Sequence, residues 1–266
     1  MKNSVRIIAG SLVVLTTAAC NSISTNLPAS RFESPEVPGH LRWRVGGGAG
    51  TDQQVTFTDD ASNRPVTFVN AVSLIPEFPL VRGSLGLSDR FEIGVRYGFP
   101  SVFLAKAKFQ ILGEAADLAS KGNMSLAVTA GAGADYTSRS GSQEGTFGPG
   151  GYGWSASSTT SIYDFSIIAG VRPSDNLLVF ASPFVSTYGI NGSINQAASD
   201  NGQSPAANYP LIGNGVSYGG SLGLEFFFGH KKNLSIMTDL TDQILQWSTI
   251  ETQGYIGGGV IFEVLL

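Results

Sequence analysis

The chain holds a single cysteine, Cys20, and two histidines, His40 and His230, in 266 residues. One thiol makes no internal disulfide and no cysteine-based zinc site. Two scattered histidines leave few general bases for hydrolytic chemistry. No block of basic residues occurs. The formal charge is −4, and since residues 1 to 19 contribute Lys2 and Arg6 but no acid, the remainder carries −6. Such a chain offers nothing to nucleic acid and no cofactor motif. After residue 19, helical spacing of apolar residues is confined to a short stretch around Gly113 to Lys121. Strands must therefore build the fold.

What is present begins with Lys2 and Arg6, an apolar run from Ile7 to Ala19, and Cys20, the order of an export signal. The run is shorter than the roughly 20 residues of a membrane-spanning helix. The string Leu12-Val13-Val14-Leu15-Thr16-Thr17-Ala18-Ala19-Cys20 resembles the lipobox of bacterial lipoproteins, with Thr17 where the family usually carries Leu. That resemblance implies a signal helix and signal peptide over 1–19 and a lipidated Cys20 as the mature N-terminus. The alternative is an ordinary secretory signal cut near Ala18 or Ala19. Residues 20–39, with Pro28, Pro35 and Pro38 and no periodicity, are expected to be a flexible tether.

From residue 40 the hydrophobic pattern has a period of two. Phe91, Ile93, Val95 and Tyr97 fall on one face, and Glu92, Gly94, Arg96 and Gly98 on the other. Phe103, Ala105, Ala107, Phe109 and Ile111 alternate with Leu104, Lys106, Lys108 and Gln110; Met124 to Tyr136 repeats the pattern. Further strands are expected over 162–171, 178–190, 216–228, 234–245 and 254–266, with a first strand over 41–48 and another ending at the Ser88-Asp89-Arg90 turn. Short turns at 88–90, 172–176 and 229–233 alternate with long polar loops over 137–158 and 191–214.

A soluble β-sandwich also alternates, but two features favour a membrane barrel. The apolar face carries Ala105, Ala107, Ala130 and Ala132, which would leave gaps in a protein core. Tyr97, Tyr136, Tyr188, Tyr218, Trp247 and Tyr255 fall toward the long-loop ends, as an interfacial girdle would. Residues 40–266 thus resemble a Gram-negative outer-membrane β-barrel. Tyr255, Gly257, Val260 and Phe262 are similar to the final strand of such barrels, although Leu266 replaces the usual terminal Phe.

The resemblance implies an all-β, single antiparallel transmembrane β-barrel of about 10 strands, within a range of roughly eight to twelve. Its termini would be periplasmic, and it would meet outer-membrane lipid and the export, lipoprotein-processing and barrel-insertion machinery. The segment 66–74, isolated by Pro76 and Pro79, is expected in the first outer loop or as an extension of the second strand; as a strand of its own it would give eleven and move the anchor to the cell surface.

Alternation turns twelve charges inward: Arg42, Arg44, Arg82, Arg96, Lys106 and Lys108 against Glu92, Asp135, Asp164, Glu225, Asp239 and Glu263. Two roles remain open for them. They form a neutralising network that plugs a narrow lumen, or they line a small pore with Arg96, Lys106 and Lys108 as selectivity groups. His40 and His230 lie at the end away from the long loops, and no enzyme activity is expected. Asp135 and Asp164 flank the long loop and form the one candidate carboxylate pair, and the Gly-rich stretch 145–154 fits no phosphate-binding setting. The expected function is a lipid-anchored barrel with a structural or loop-mediated binding role. A small-solute channel and a soluble periplasmic β-rich lipoprotein are the alternatives.

Overall fold

In a computed structural model the chain is described over residues 22–58, 69–99, 102–143, 152–198, 206–229, 232–247 and 252–266. The expected signal helix, Cys20 and His230 lie outside these residues. The described chain forms eleven strands and no helix: β1 (Ser22–Pro28), β2 (Trp43–Thr58), β3 (Val69–Gly86), β4 (Phe91–Gly98), β5 (Val102–Leu112), β6 (Met124–Gln143), β7 (Tyr152–Ser174), β8 (Leu177–Gln196), β9 (Ala207–Phe228), β10 (Leu234–Trp247) and β11 (Gln253–Leu265).

Strands β2 to β11 pair antiparallel with their sequence neighbours, and β2 pairs with β11, closing a ten-stranded barrel. Stepping across the ladders from Arg44 leads through Ser84, Gly94, Lys106, Gly131, Asp164, Ser186, Ser217 and Leu245 to Gln253. Arg44 itself pairs with Leu265, so closure carries an offset of 12 residues, from 253 to 265. That stagger is the tilt a closed barrel requires.

The lower mouth is the end with the 87–90 and 175–176 turns, Trp43 and Leu266; the upper mouth is the opposite end. Toward the upper mouth β6 to β9 run to 20, 23, 20 and 22 residues, whereas β4 has 8 and β5 has 11. Much of the sequence expected as loops, 137–143, 152–158, 191–196 and 207–214, is therefore strand. Ser, Thr and Gly populate both faces there, so hydrophobic alternation fades although the backbone ladder continues. The stretch around Gly113 to Lys121 forms turns, with Gly113 at φ +91°. Of the awkward segment 66–74, residues 69–74 extend the second barrel strand, β3. Pro76 and Pro79 lie within β3: Pro76 pairs with Thr51, and Pro79 falls where the pairing with β2 shifts register between Gly48 and Gly50, a bulge that tolerates proline because the ladder is already broken there.

Polarity follows the period of two. Outward faces carry Trp43, Val45, Val81, Ile93, Val95, Phe103, Phe109, Met124, Tyr163, Phe165, Leu222, Leu224, Phe226, Leu240, Ile256 and Phe262, all substantially exposed. The inward faces of β6 to β9 mix small hydroxyl residues, Ser125, Thr129, Ser158, Thr160, Ser166, Ser182, Ser186, Ser217 and Ser221, with larger apolar ones such as Ile168, Leu178, Phe180, Phe184 and Phe227, all buried. Above the exposed apolar belt, the outward residues of β7 become Ser155, Ser157, Thr159 and Ser161.

The largest departure from expectation is the segment assigned as a flexible tether. Over 22–39 all residues but Ser22 and Glu33 are buried. β1 pairs with the upper half of β2, from Ser22 opposite Thr58 to Pro28 opposite Asp52, and contacts β6 and β7 across the lumen. The rest of the segment descends through the lumen to the lower mouth. The described residues therefore begin at the upper mouth, where Ser22 pairs with Thr58, and end with Leu266 at the lower. Composition suggested a loose linker because no periodic face exists; a segment surrounded by barrel wall on every side needs none.

Candidate functional site: the filled lumen

Eleven of the twelve charges expected to point inward do so. Arg42 does not: its side chain is about half exposed at the lower mouth, 3.9 Å from Asp117. The eleven are gathered around the luminal segment, which adds Arg31, Glu33 and Glu36 to the network. Arg172 on β7, Glu77 on β3 and Asp52 on β2 are further buried charges that the expected set lacks. Extending the β7 alternation by two residues, past Ser166, Ile168 and Gly170, would have turned Arg172 inward. The β2–β3 register shift hid Glu77, and no periodicity marks residues 31–36.

From the lower mouth upward the network divides into tiers. Arg44 lies 3.9 Å from Glu225 and 4.0 Å from Glu263, and Arg82 lies 3.1 Å from Glu263 while donating to the Phe32 carbonyl. Lys108 contacts Glu92 at 2.5 Å and donates to the carbonyls of Ser34 and Glu36 at 3.1 and 3.3 Å. Arg172 clamps Glu36 with Nε to Oε1 at 2.9 Å and Nη2 to Oε2 at 2.5 Å. Its guanidinium also lies 4.1 Å from the Phe227 ring centroid. The Val37 amide donates to Gln110 at 2.9 Å, so side chains of the wall bond the segment's backbone as well as its charges.

The middle tier centres on Asp164. Arg31 Nη2 donates to Asp164 at 2.5 Å, Lys106 lies 2.8 Å from the same carboxylate, and Ser186 donates to it at 2.6 Å. Lys106 also pairs with Glu33, which accepts a bond from Thr129 at 3.2 Å. The Arg31 amide donates to Asp239 at 2.6 Å, and its guanidinium lies 4.1 Å from the Phe184 ring centroid. Arg96 pairs with Glu77 and donates to the backbone and hydroxyl of Ser30. Below a dielectric boundary as dry as this, unpaired charges are costly, and each cation here meets a carboxylate or carbonyl.

The upper tier is different in kind. Asp135 accepts from the Thr25 hydroxyl at 3.0 Å and the Asn26 amide at 2.8 Å, and Thr25 touches Thr160 at 2.5 Å. Around them Ile23, Leu27, Val55, Phe57, Ile162, Tyr188, Ile190, Ile194, Leu211 and Trp247 form an apolar core inside the barrel. Phe57 meets Trp247 edge to face at 5.9 Å. Two aromatics expected in an outer girdle, Tyr188 and Trp247, therefore belong to this interior. Tyr255 packs against it, while Tyr97, Tyr136 and Tyr218 face outward. Tall strands at the upper mouth enclose an inner volume like that of a sandwich, so inward aromatics find a core there.

A cavity of about 50 Å³ remains between Phe32 and the β3–β5 wall, bordered by Arg82, Arg96, Lys106 and Lys108. It has room for a few waters and not for a solute. Asp135 and Asp164, considered as a carboxylate pair, stand on different rungs, Asp135 opposite Thr160 and Asp164 opposite Gly131, and bind different parts of the segment. His40 is exposed at the lower mouth, its Nδ1 3.0 Å from the Leu87 carbonyl oxygen.

The class defined by this architecture is a closed ten-stranded antiparallel β-barrel whose interior is occupied by its own N-terminal segment. No protein-family model matches the chain, and no curated protein matches it significantly in sequence.

Proposed function

We propose that the protein is a non-enzymatic outer-membrane β-barrel, closed to solutes by residues 22–39, that presents its tall upper wall of β6 to β9 for a structural or binding role. The observation carrying this reading is inverted polarity. Large apolar side chains such as Phe165, Leu222 and Phe262 are exposed around the outside, while ion pairs such as Glu36–Arg172 are wholly buried within. In water that arrangement would leave an exposed apolar surface around the whole barrel, far beyond the patches soluble monomers carry. In a bilayer it is the favoured one. A lipid on Cys20 would add a second attachment, and such a chain would need export, lipoprotein-processing and barrel-insertion machinery.

A solute channel is the second reading, supported by the charged border of the luminal cavity, where Arg82, Arg96, Lys106 and Lys108 stand beside Glu33 and Glu92; it requires residues 22–39 to move. Fractionation, gel mobility before and after boiling, and planar-bilayer recording test the proposal together. Retention in the outer-membrane fraction, a mobility shift on boiling and an absence of discrete conductance are expected. Release by alkaline carbonate once the acyl chains are removed, with no shift on boiling, would overturn the membrane reading. Discrete openings of the purified full-length protein would overturn closure.

A further inference from the structure

The luminal segment has a direction. It enters beside Thr58 at the upper mouth and leaves at the lower, where the Leu41 amide donates to the Gly86 carbonyl at 2.7 Å before β2 begins. Leu266 donates to the Trp43 carbonyl at 2.8 Å at that same lower mouth. The path is pinned along its length, by Thr25 and Asn26 on Asp135, Arg31 on Asp164 and Glu36 on Arg172.

We infer that the mature amino terminus lies beyond the upper mouth, on the opposite face of the membrane from Leu266, so that a lipid carried by Cys20 enters the leaflet bordering that mouth. The inference rests on the membrane reading proposed above. Cys20 stands two residues before Ser22, within about 7 Å of extended chain. The lower mouth is the length of β2 away, 16 residues. The lumen between is filled, and the cavity of about 50 Å³ beside Phe32 accommodates no acyl chains. A lipidated end cannot be drawn through a closed barrel of this kind. It reaches the upper side before β2 and β11 pair, and their short seam, Arg44–Ala49 against Val260–Leu265, closes around the segment.

Two measurements on the full-length protein in intact cells test this. An acylated Cys20 has no free thiol, so single cysteines at Asn21→Cys and Leu266→Cys can be compared with a membrane-impermeant maleimide, the unsubstituted chain serving as control. The reagent is expected to label the first in intact cells and the second only after permeabilisation. Threading is checked separately by Thr25→Cys with Thr160→Cys, whose hydroxyls lie 2.5 Å apart; the disulfide is expected to alter the mobility of the unfolded chain unless reduced. The same labelling behaviour at positions 21 and 266, both labelled in intact cells or both protected, in a protein that keeps its membrane retention and boiling shift overturns the inference alone, as does failure of that disulfide to form. Loss of membrane retention and of the boiling shift overturns the underlying reading, and this inference with it.

Discussion

Glu36 and Arg172 form a two-pronged ion pair with neither side chain accessible to solvent, joining the descending luminal segment to the lower end of β7. Asn123 donates to the same carboxylate at 2.8 Å, and Arg172 also reaches the Ala116 and Asp175 carbonyls at 3.3 and 3.0 Å. With its hydrogen bonds satisfied on every side, the pair holds the segment where it leaves the lumen.

Removing one partner strands a buried charge. Glu36→Ala is expected to destabilise the folded barrel by about 3–5 kcal/mol, and joint replacement by Glu36→Met and Arg172→Met by much less, because the desolvation cost disappears with the pair. Chemical unfolding in detergent micelles, followed by the boiling-sensitive gel shift, measures both. Equal losses in the single and the double variant would contradict a pair-based latch.

The upper core makes a separate contribution. Leu27 is fully buried among Ile23, Val55 and the inner wall. Leu27→Ala is expected to cost about 2–5 kcal/mol through lost burial and the cavity left behind. Protease cleavage within residues 22–39 should increase in step, since this contact keeps the segment inside. A variant as resistant as the parent chain would mean that the segment is held by the charged tiers alone.

Leu222 tests the outer face. It is 63% exposed on β9 amid Leu224, Phe226 and Tyr218. For a protein in water, Leu222→Arg would be close to neutral. Near the middle of a bilayer the same change is expected to cost about 2–4 kcal/mol. Folding into lipid vesicles from urea, compared with folding of the parent chain, separates the two cases.

Closure depends on close approach at Gly48. A Cβ there would meet the Val260 carbonyl oxygen and lie 2.7 Å from the Ile261 Cα. Gly48→Val is expected to part β2 from β11 and to lower the temperature of the boiling shift by several degrees. The same substitution at Gly83, which has open space around it, should have little effect on closure.

Conductance should appear when the segment is gone. Residues 22–39 run the height of the lumen, nearly all of them buried by the surrounding wall, so a chain lacking residues 22–38 is expected to show discrete openings in planar bilayers where the intact chain is silent. Silence from a variant that still shifts on boiling would show that the wall side chains close the lumen unaided.

Much of this was legible in the sequence because it depends on neighbours along the strand. A period of two put Ile93, Val95 and Phe109 outside and Glu92, Arg96 and Lys108 inside, and the bounds of β4 and β5 followed from it. The same pattern faltered where its premise did. At Glu77 a register shift altered the pairing, and above Tyr136 serine and threonine occupied both faces. Arg42 lies beyond the first ladder rung, where the barrel no longer dictates direction.

The sequence by itself determined an all-β chain with a two-sided polarity, a set of inward charges near balance and an apolar exterior, because alternation is a local property of extended backbone. Only the tertiary structure decided what fills the barrel. Ser22 to Gly39 has no pattern of its own, and its burial arises from long-range complementarity: Arg31 with Asp164, Glu33 with Lys106, Glu36 with Arg172 and Leu27 with the upper core. The direction of that thread, and with it the face on which the chain begins, follows from the pairing of Ser22 with Thr58, a contact between residues that nothing in their local sequence brings together.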